Sequence, residues 1–242
     1  MSPLRKRAAT HHAFSAFALG PYATAALAAC GGAGRCGRGG LGLLDSCFRQ
    51  EVGPLPQGPS PLARALFTWL WRRRPQGYRS GGNPLLTAAI EAHLDPSAAE
   101  VGNCLALTCL FLALGEGLGL AVEPCYLPDA GGRGPHVLAT LRADGREIDV
   151  ELTRPDGYDC PALKGALGRQ RWSPQQLAAE VLLDRGNLAL ESGRARSALA
   201  LYRRALALDS SHGRAWLNLG IAYTELGRPR RGEECFARAR LE

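Results

Sequence analysis

Lysine is almost missing: of the 29 basic residues in 242, only Lys6 and Lys164 are lysines and the others are arginines. Acidic residues are absent before Asp45, methionine occurs once, and aromatics make up 7% of the chain. An arginine bias suits a GC-rich genome as well as a phosphate-binding face, so the net charge of +7 carries no expectation of nucleic-acid binding. Past residue 30 there is no uncharged apolar run of about 18 residues, which excludes a polytopic membrane protein. Neither lysine stands in a G-x-x-x-x-G-K-[ST] frame, which excludes a P-loop. Gly32 to Gly37 satisfies G-x-G-x-x-G literally, but no strand precedes it and no βαβ unit surrounds it. None of the eight cysteines forms C-x-x-C, and no Cys or His pair has zinc-finger spacing, so no metal and no organic cofactor is expected.

What is present begins with a basic cluster, Arg5, Lys6 and Arg7, followed by a small and apolar run from Ala13 to Ala29. This is the layout of a secretory signal, and Gly20 and Pro21 break it too early for a permanent membrane helix. Its end, Leu27-Ala28-Ala29-Cys30-Gly31, resembles the lipobox of bacterial lipoproteins. That resemblance implies a signal peptide over 1–29, lipidation at Cys30 and a lipid anchor in a bacterial envelope membrane. Residues 30–42 would then be a Gly-rich tether. An Ala-rich extension of a cytoplasmic protein, or an organelle transit peptide, fits the same composition.

The last third repeats. A shift of 34 residues superposes Gly186 on Gly220, Gly193 on Gly227, and Tyr202 on Phe236. Trp216, Leu219, Gly220 and Tyr223 read W-x-x-L-G-x-x-Y, and with the 34-residue period this resembles the tetratricopeptide repeat. Two such helical hairpins are expected over 173–241, with Gly186, Gly220, Tyr202, Trp216 and Tyr223 at their packing positions. Ser173-Pro174 with Gln176 predicts a capping box at the start of the array. Two repeats are too few to bury a core alone, so they are expected to pack on the preceding domain or on a protein partner.

Residues 43–165 form a second unit. Ser60-Pro61 and Asn83-Pro84 predict helix starts, and Gly102-Asn103-Cys104 opens a third helix that is apolar nearly all round. Ala121 to Tyr126 reads as a strand, and 136–142 with 146–152 as a hairpin closed by Asp144-Gly145. Helices followed by an antiparallel sheet argue an α+β fold. Within it, Cys104 sits at a helix N-terminus with Asn103 as cap, where orphan N–H groups and the macrodipole favour a thiolate and can hold an oxyanion. His136 is the one histidine that opens a strand of this unit. A two-residue turn puts Leu138 opposite Glu151 and Thr140 opposite Asp149, with His136, Glu151 and Asp149 on one face. Glu151 is the diagonal neighbour of His136, so it is the expected third member; Asp149 lies farther along the strand.

Gly102-Asn103-Cys104 before an apolar helix ending in Leu118-Gly119-Leu120, then Pro135-His136-Val137, then Glu151-Leu152-Thr153, resembles the transglutaminase-like superfamily. More narrowly, with a following repeat array, the chain resembles its SirB1-type members. The resemblance implies a papain-like core with Cys104 as nucleophile, His136 as general base and acid, and Glu151 at the position usually held by Asp. Leu152 stands where the family usually has Pro, and Val137 and Leu138 where an aromatic is common. The activity implied is acyl transfer on peptide or protein amides without a cofactor, with the repeats holding a protein partner. An inactive adaptor of the same architecture is the alternative.

Overall fold

A helix without a polar face has to be enclosed. In this computed structural model, which describes residues 17–31, 37–74, 78–79, 81–95, 97–132, 134–160 and 166–240, that helix is α5 (Cys104–Gly117). Every residue from Leu105 to Gly115 is buried. Around it lie α1 (Pro21–Ala29), α2 (Arg38–Val52), α3 (Pro59–Arg73) and α4 (Leu86–Leu94), and it also packs on the sheet strands β1 (Val122–Leu127) and β2 (His136–Ala143). With β3 (Arg146–Val150) and the short β4 (Gln170–Arg171) these strands make one antiparallel sheet in the order β3-β2-β1-β4. The hairpin register pairs Ala143 with Arg146 and Thr140 with Asp149, as the two-residue turn requires. Asp144 and Gly145 both have the positive φ of a type I′ turn. Thr108, one helical turn past Cys104, donates to the Val137 carbonyl at 3.2 Å and so ties α5 to β2 beside His136.

Two helix starts differ from the sequence expectation. α3 begins at Pro59 behind Gly58, and Ser60 instead shares a hydrogen bond with the Tyr158 hydroxyl. α4 begins at Leu86, because Asn83 spends its side chain on the Leu85 N–H at 3.0 Å in a turn ahead of the helix. The tether expected over 30–42 is helical from Arg38 onward, with Gly40 and Leu41 buried against the core; residues 32–36 lie outside the described residues. The segment expected as a signal peptide is described from Phe17, and its α1 is built into the core. Ala23, Ala26, Leu27 and Ala29 are buried there, and α1 packs between α5 and α6 (Pro174–Glu191). Glu116 accepts from the Tyr22 and Ala23 N–H groups at 3.0 and 2.9 Å, and Arg185 donates to the Ala29 carbonyl. An anion thus sits at the start of α1 and a cation at its end, the signs that the helix dipole favours.

The C-terminal helices α6, α7 (Ala195–Leu208), α8 (Gly213–Glu225) and α9 (Pro229–Ala239) form two hairpins. The predicted capping box is present: Gln176 N–H donates to Ser173 Oγ at 3.2 Å and Ser173 N–H to Gln176 Oε1 at 2.9 Å. A Cβ on Gly186 would lie 2.3 Å from the Tyr202 ring, and one on Gly220 2.4 Å from Phe236. The 34-residue period is therefore the spacing at which one contact recurs, a glycine of one helix against an aromatic of the next. Tyr202 and Tyr223 are buried, whereas Trp216 is half-buried, its Nε1 donating to the Ser210 carbonyl and its ring lying under Arg238.

Candidate functional site

The start of α5 is fixed by backbone contacts. Gly102 has φ +111° and its neighbour Asn103 donates its N–H to the Asn83 carbonyl at 3.3 Å; a Cβ on Gly102 would lie 2.7 Å from that same oxygen. Arg79 N–H donates to the Gly102 carbonyl at 3.3 Å. A residue other than glycine would both strain this φ and force Asn83 away. Asn103 Oδ1 then accepts from Ala106 N–H at 3.0 Å, making Asn103 the N-cap that the sequence predicts. With the Asn103 N–H on Asn83, the Ala106 N–H on Asn103 Oδ1 and the Leu107 N–H on the Asn103 carbonyl, the N–H groups that this helix start leaves for an oxyanion are those of Cys104 and Leu105.

His136 opens β2, and its Nε2 lies 2.5 Å from Glu151 Oε2. With Nε2 occupied, Nδ1 is the ring nitrogen left for Cys104, whose side chain also acts on the imidazole as a hydrogen-bond partner. Burial disfavours the imidazolium, but the hydrogen bonds and charges of Cys104 and Glu151 outweigh it and hold the His136 pKa up to about 10. Glu151 is buried, which by itself would raise its carboxyl. The bonds from His136 and Thr153 prevail and lower it. Its second oxygen accepts from Thr153 N–H at 2.8 Å and Thr153 Oγ1 at 2.7 Å, so neither oxygen is left without a donor.

The structure brings Cys104, His136 and Glu151 together and separates Asp149 from them. Asp149 is engaged by the Arg169 guanidinium at 3.0 and 2.7 Å, a two-pronged pair that fastens the segment before β4 to β3. What the sequence pattern did not reveal is the support beneath Glu151. The chain from 151 to 157 folds back so that Glu151 N–H donates to the Gly157 carbonyl at 2.9 Å, and a Cβ on Gly157 would sit 2.0 Å from the Glu151 carbonyl oxygen. Tyr158 then pairs with Val150 and donates its hydroxyl to the Ser60 carbonyl at 2.8 Å. Cys30 is half-buried, and burial raises its thiol above the usual range. The seven described cysteines are all free thiols, including Cys104 and Cys109 on α5. Among the described residues no group of three His, Cys, Asp or Glu side chains is arranged to hold a metal ion, and no helix is long and apolar enough to cross a membrane. On the repeats, a groove of about 950 Å³ has Trp216 and Tyr223 among its lining, with Arg203, Arg231 and Arg238 over those rings.

Residues 189–242 match the tetratricopeptide repeat family. No curated protein and no solved structure matches the chain. The matched residues cover α7 to α9 and the end of α6, and repeats of this kind suggest a role in protein–protein interaction. The whole is a mixed helical and antiparallel-sheet protein with a tetratricopeptide-like helical end.

Proposed function

We propose that the chain is a cysteine-dependent acyl-transfer enzyme acting on peptide or protein amides, with a papain-like, transglutaminase-like core and repeats that hold a protein partner. The observation that carries this reading is the alignment of a helix-start thiol, a strand-start imidazole and a buried carboxylate whose free oxygen is spent on Thr153. Each has a role. Cys104 Sγ attacks the carbonyl carbon, and the Cys104 N–H and the helix dipole hold the oxyanion. The tetrahedral intermediate collapses by breaking the C–N bond, and His136, protonated at neutral pH, gives its proton to the departing amine. Water or a second amine then attacks the thioester, passes its proton to His136 and releases the thiolate. Glu151 keeps the ring oriented and favours its imidazolium.

The test is alkylation of Cys104 by iodoacetamide, followed peptide by peptide in the full chain by mass spectrometry. His136→Ala is expected to slow it about tenfold at pH 7, since the sulfur loses the imidazole that takes up its proton as it reacts. An unchanged rate would mean a structural cysteine. The second reading, an inactive adaptor, is favoured by the family match falling wholly on the repeats; under it Cys104→Ala keeps partner capture, and no acyl substrate is turned over by the wild type. Attachment to a bacterial envelope through acylated Cys30 is a separate proposal that rests on the sequence pattern, and α1 would have to leave the core for it. The mass of the mature N-terminus decides, an unprocessed start overturning it.

A further inference from the structure

The groove on the repeats lies between the second helices of the two hairpins. Arg203 comes from α7 and Arg231 and Arg238 from α9, while Trp216, Leu219 and Tyr223 of α8 lie between them. The rings place the guanidiniums. Arg238 is 4.6 Å from the centre of the Trp216 ring, and Arg203 and Arg231 are 5.7 and 5.8 Å from that of Tyr223, whose hydroxyl also accepts from Arg203. A cation–π contact holds a guanidinium in position but supplies no acceptor oxygen, so its fork of N–H donors stays open to a carboxylate.

Two other ring-stacked arginines of this chain have that carboxylate already. Arg73, over Trp69, is paired with Glu51, and Arg214, over Tyr126, is paired with Glu180. Among the described residues none of the three groove arginines is paired with a carboxylate. Glu234 is the one acidic side chain in the lining, against three guanidiniums, so the groove carries an excess of positive charge. Its base is apolar, with Leu206, Leu219 and Cys235 all buried. Exposed cations over an apolar base suit a chain segment whose carboxylates flank an apolar side chain. About 950 Å³ is room for a short stretch of peptide. Nucleic acid suits the groove less well, because bases stack on bare ring faces and here each ring has a guanidinium over it.

We propose that this groove binds an acidic segment of a partner protein, its carboxylates held by Arg203, Arg231 and Arg238 and an apolar side chain seated on Leu206 and Leu219. This rests on the reading of the repeats as the part that holds a protein partner, and it names the chemistry of what they hold.

The full chain is titrated into a fluorescein-labelled Glu-Glu-Leu-Glu-Glu peptide with an amidated C-terminus, and binding is read by fluorescence anisotropy. The peptide is expected to bind, and its Gln-Gln-Leu-Gln-Gln counterpart to bind at least about tenfold more weakly. Arg231→Gln and Arg238→Gln, both at exposed positions of α9, should each weaken the Glu peptide about tenfold, the loss of one charge-assisted pair. Arg196→Gln removes the same charge from an exposed position of α7 outside the groove and should change binding less than about twofold. No binding of the Glu peptide overturns the assignment, and so does an equal loss in Arg196→Gln and Arg238→Gln, since net charge alone would then carry the contact. An oligodeoxythymidylate that binds more tightly than the Glu peptide overturns it in favour of nucleic acid. An array of random-sequence peptides probed with the full chain separates the groove from the reading beneath it. Retention of peptides rich in Asp and Glu, lost in Arg238→Gln, supports the groove. Retention of peptides without acidic excess overturns it and leaves the partner reading standing, and retention of none overturns both.

Discussion

At His136 one proton is held by two partners, and the pH behaviour of the fold follows from that. Its pKa rises from about 6.5 in an unfolded chain to about 10 in the folded one. A raised histidine adds stability that is fully present below the unfolded value and lost as pH climbs through the folded one. Glu151 has the opposite sign: its lowered carboxyl adds stability above the unfolded value and loses it in acid. The melting temperature is therefore expected to fall between about pH 6.5 and pH 10, and to fall less in His136→Gln, as scanning calorimetry across that window will show. Equal slopes would mean that His136 draws no proton affinity from Cys104 and Glu151. Cys104 and His136 were legible in the sequence because a helix cap and a strand start depend on residues a few positions away; Glu151 was reached through the hairpin register, although β3 ends at Val150 and the expected pairing of Leu138 with Glu151 is absent from the ladder. Thr108 on Val137 and Gly157 beneath Glu151 were not, since each depends on a meeting of segments that no local period encodes.

Among the elements, the repeat hairpins are the most readable, because their period in sequence is a period in contact. Gly186 against Tyr202 and Gly220 against Phe236 are the same approach 34 residues apart. Replacing a helical glycine by alanine ordinarily gains about 1 kcal/mol. At Gly220 the new Cβ would meet the Phe236 ring and the Gly232 carbonyl, so overpacking should dominate and Gly220→Ala should cost about 1–3 kcal/mol. The urea midpoint reads this directly, and an increase would mean that the two helices stand farther apart than described. The N-terminal elements were the least readable. The Gly-rich composition of α2 argues for a tether, and only burial against α4 and α5 makes it a helix. β4 has two residues and is placed by Trp172 and Arg169, not by any alternation of its own.

On the scale of the whole molecule, α1 joins the α+β unit to the repeats. It contacts α5 and α6 together, and its ends are held by Glu116 from one and Arg185 from the other. Removing residues 1–29 would uncover the apolar faces beneath Ala23, Ala26 and Leu27. Full burial of one leucine alone contributes about 1.5–3 kcal/mol. A chain beginning at Cys30 is thus expected to melt about 5–10 °C lower than the full chain. An unchanged melting temperature would show that α1 contributes nothing to the core.

The same helix has a consequence during synthesis. Tyr22 hydrogen-bonds to Trp172, 150 residues later, and α6 follows beyond that point. At a translation rate of about 5–20 residues per second, the apolar stretch leaves the ribosome roughly 8–30 s before the surface that will cover it exists. For that interval it is an uncovered hydrophobic segment behind a basic start, available to whatever binds nascent chains, and its fate is a race between capture and docking.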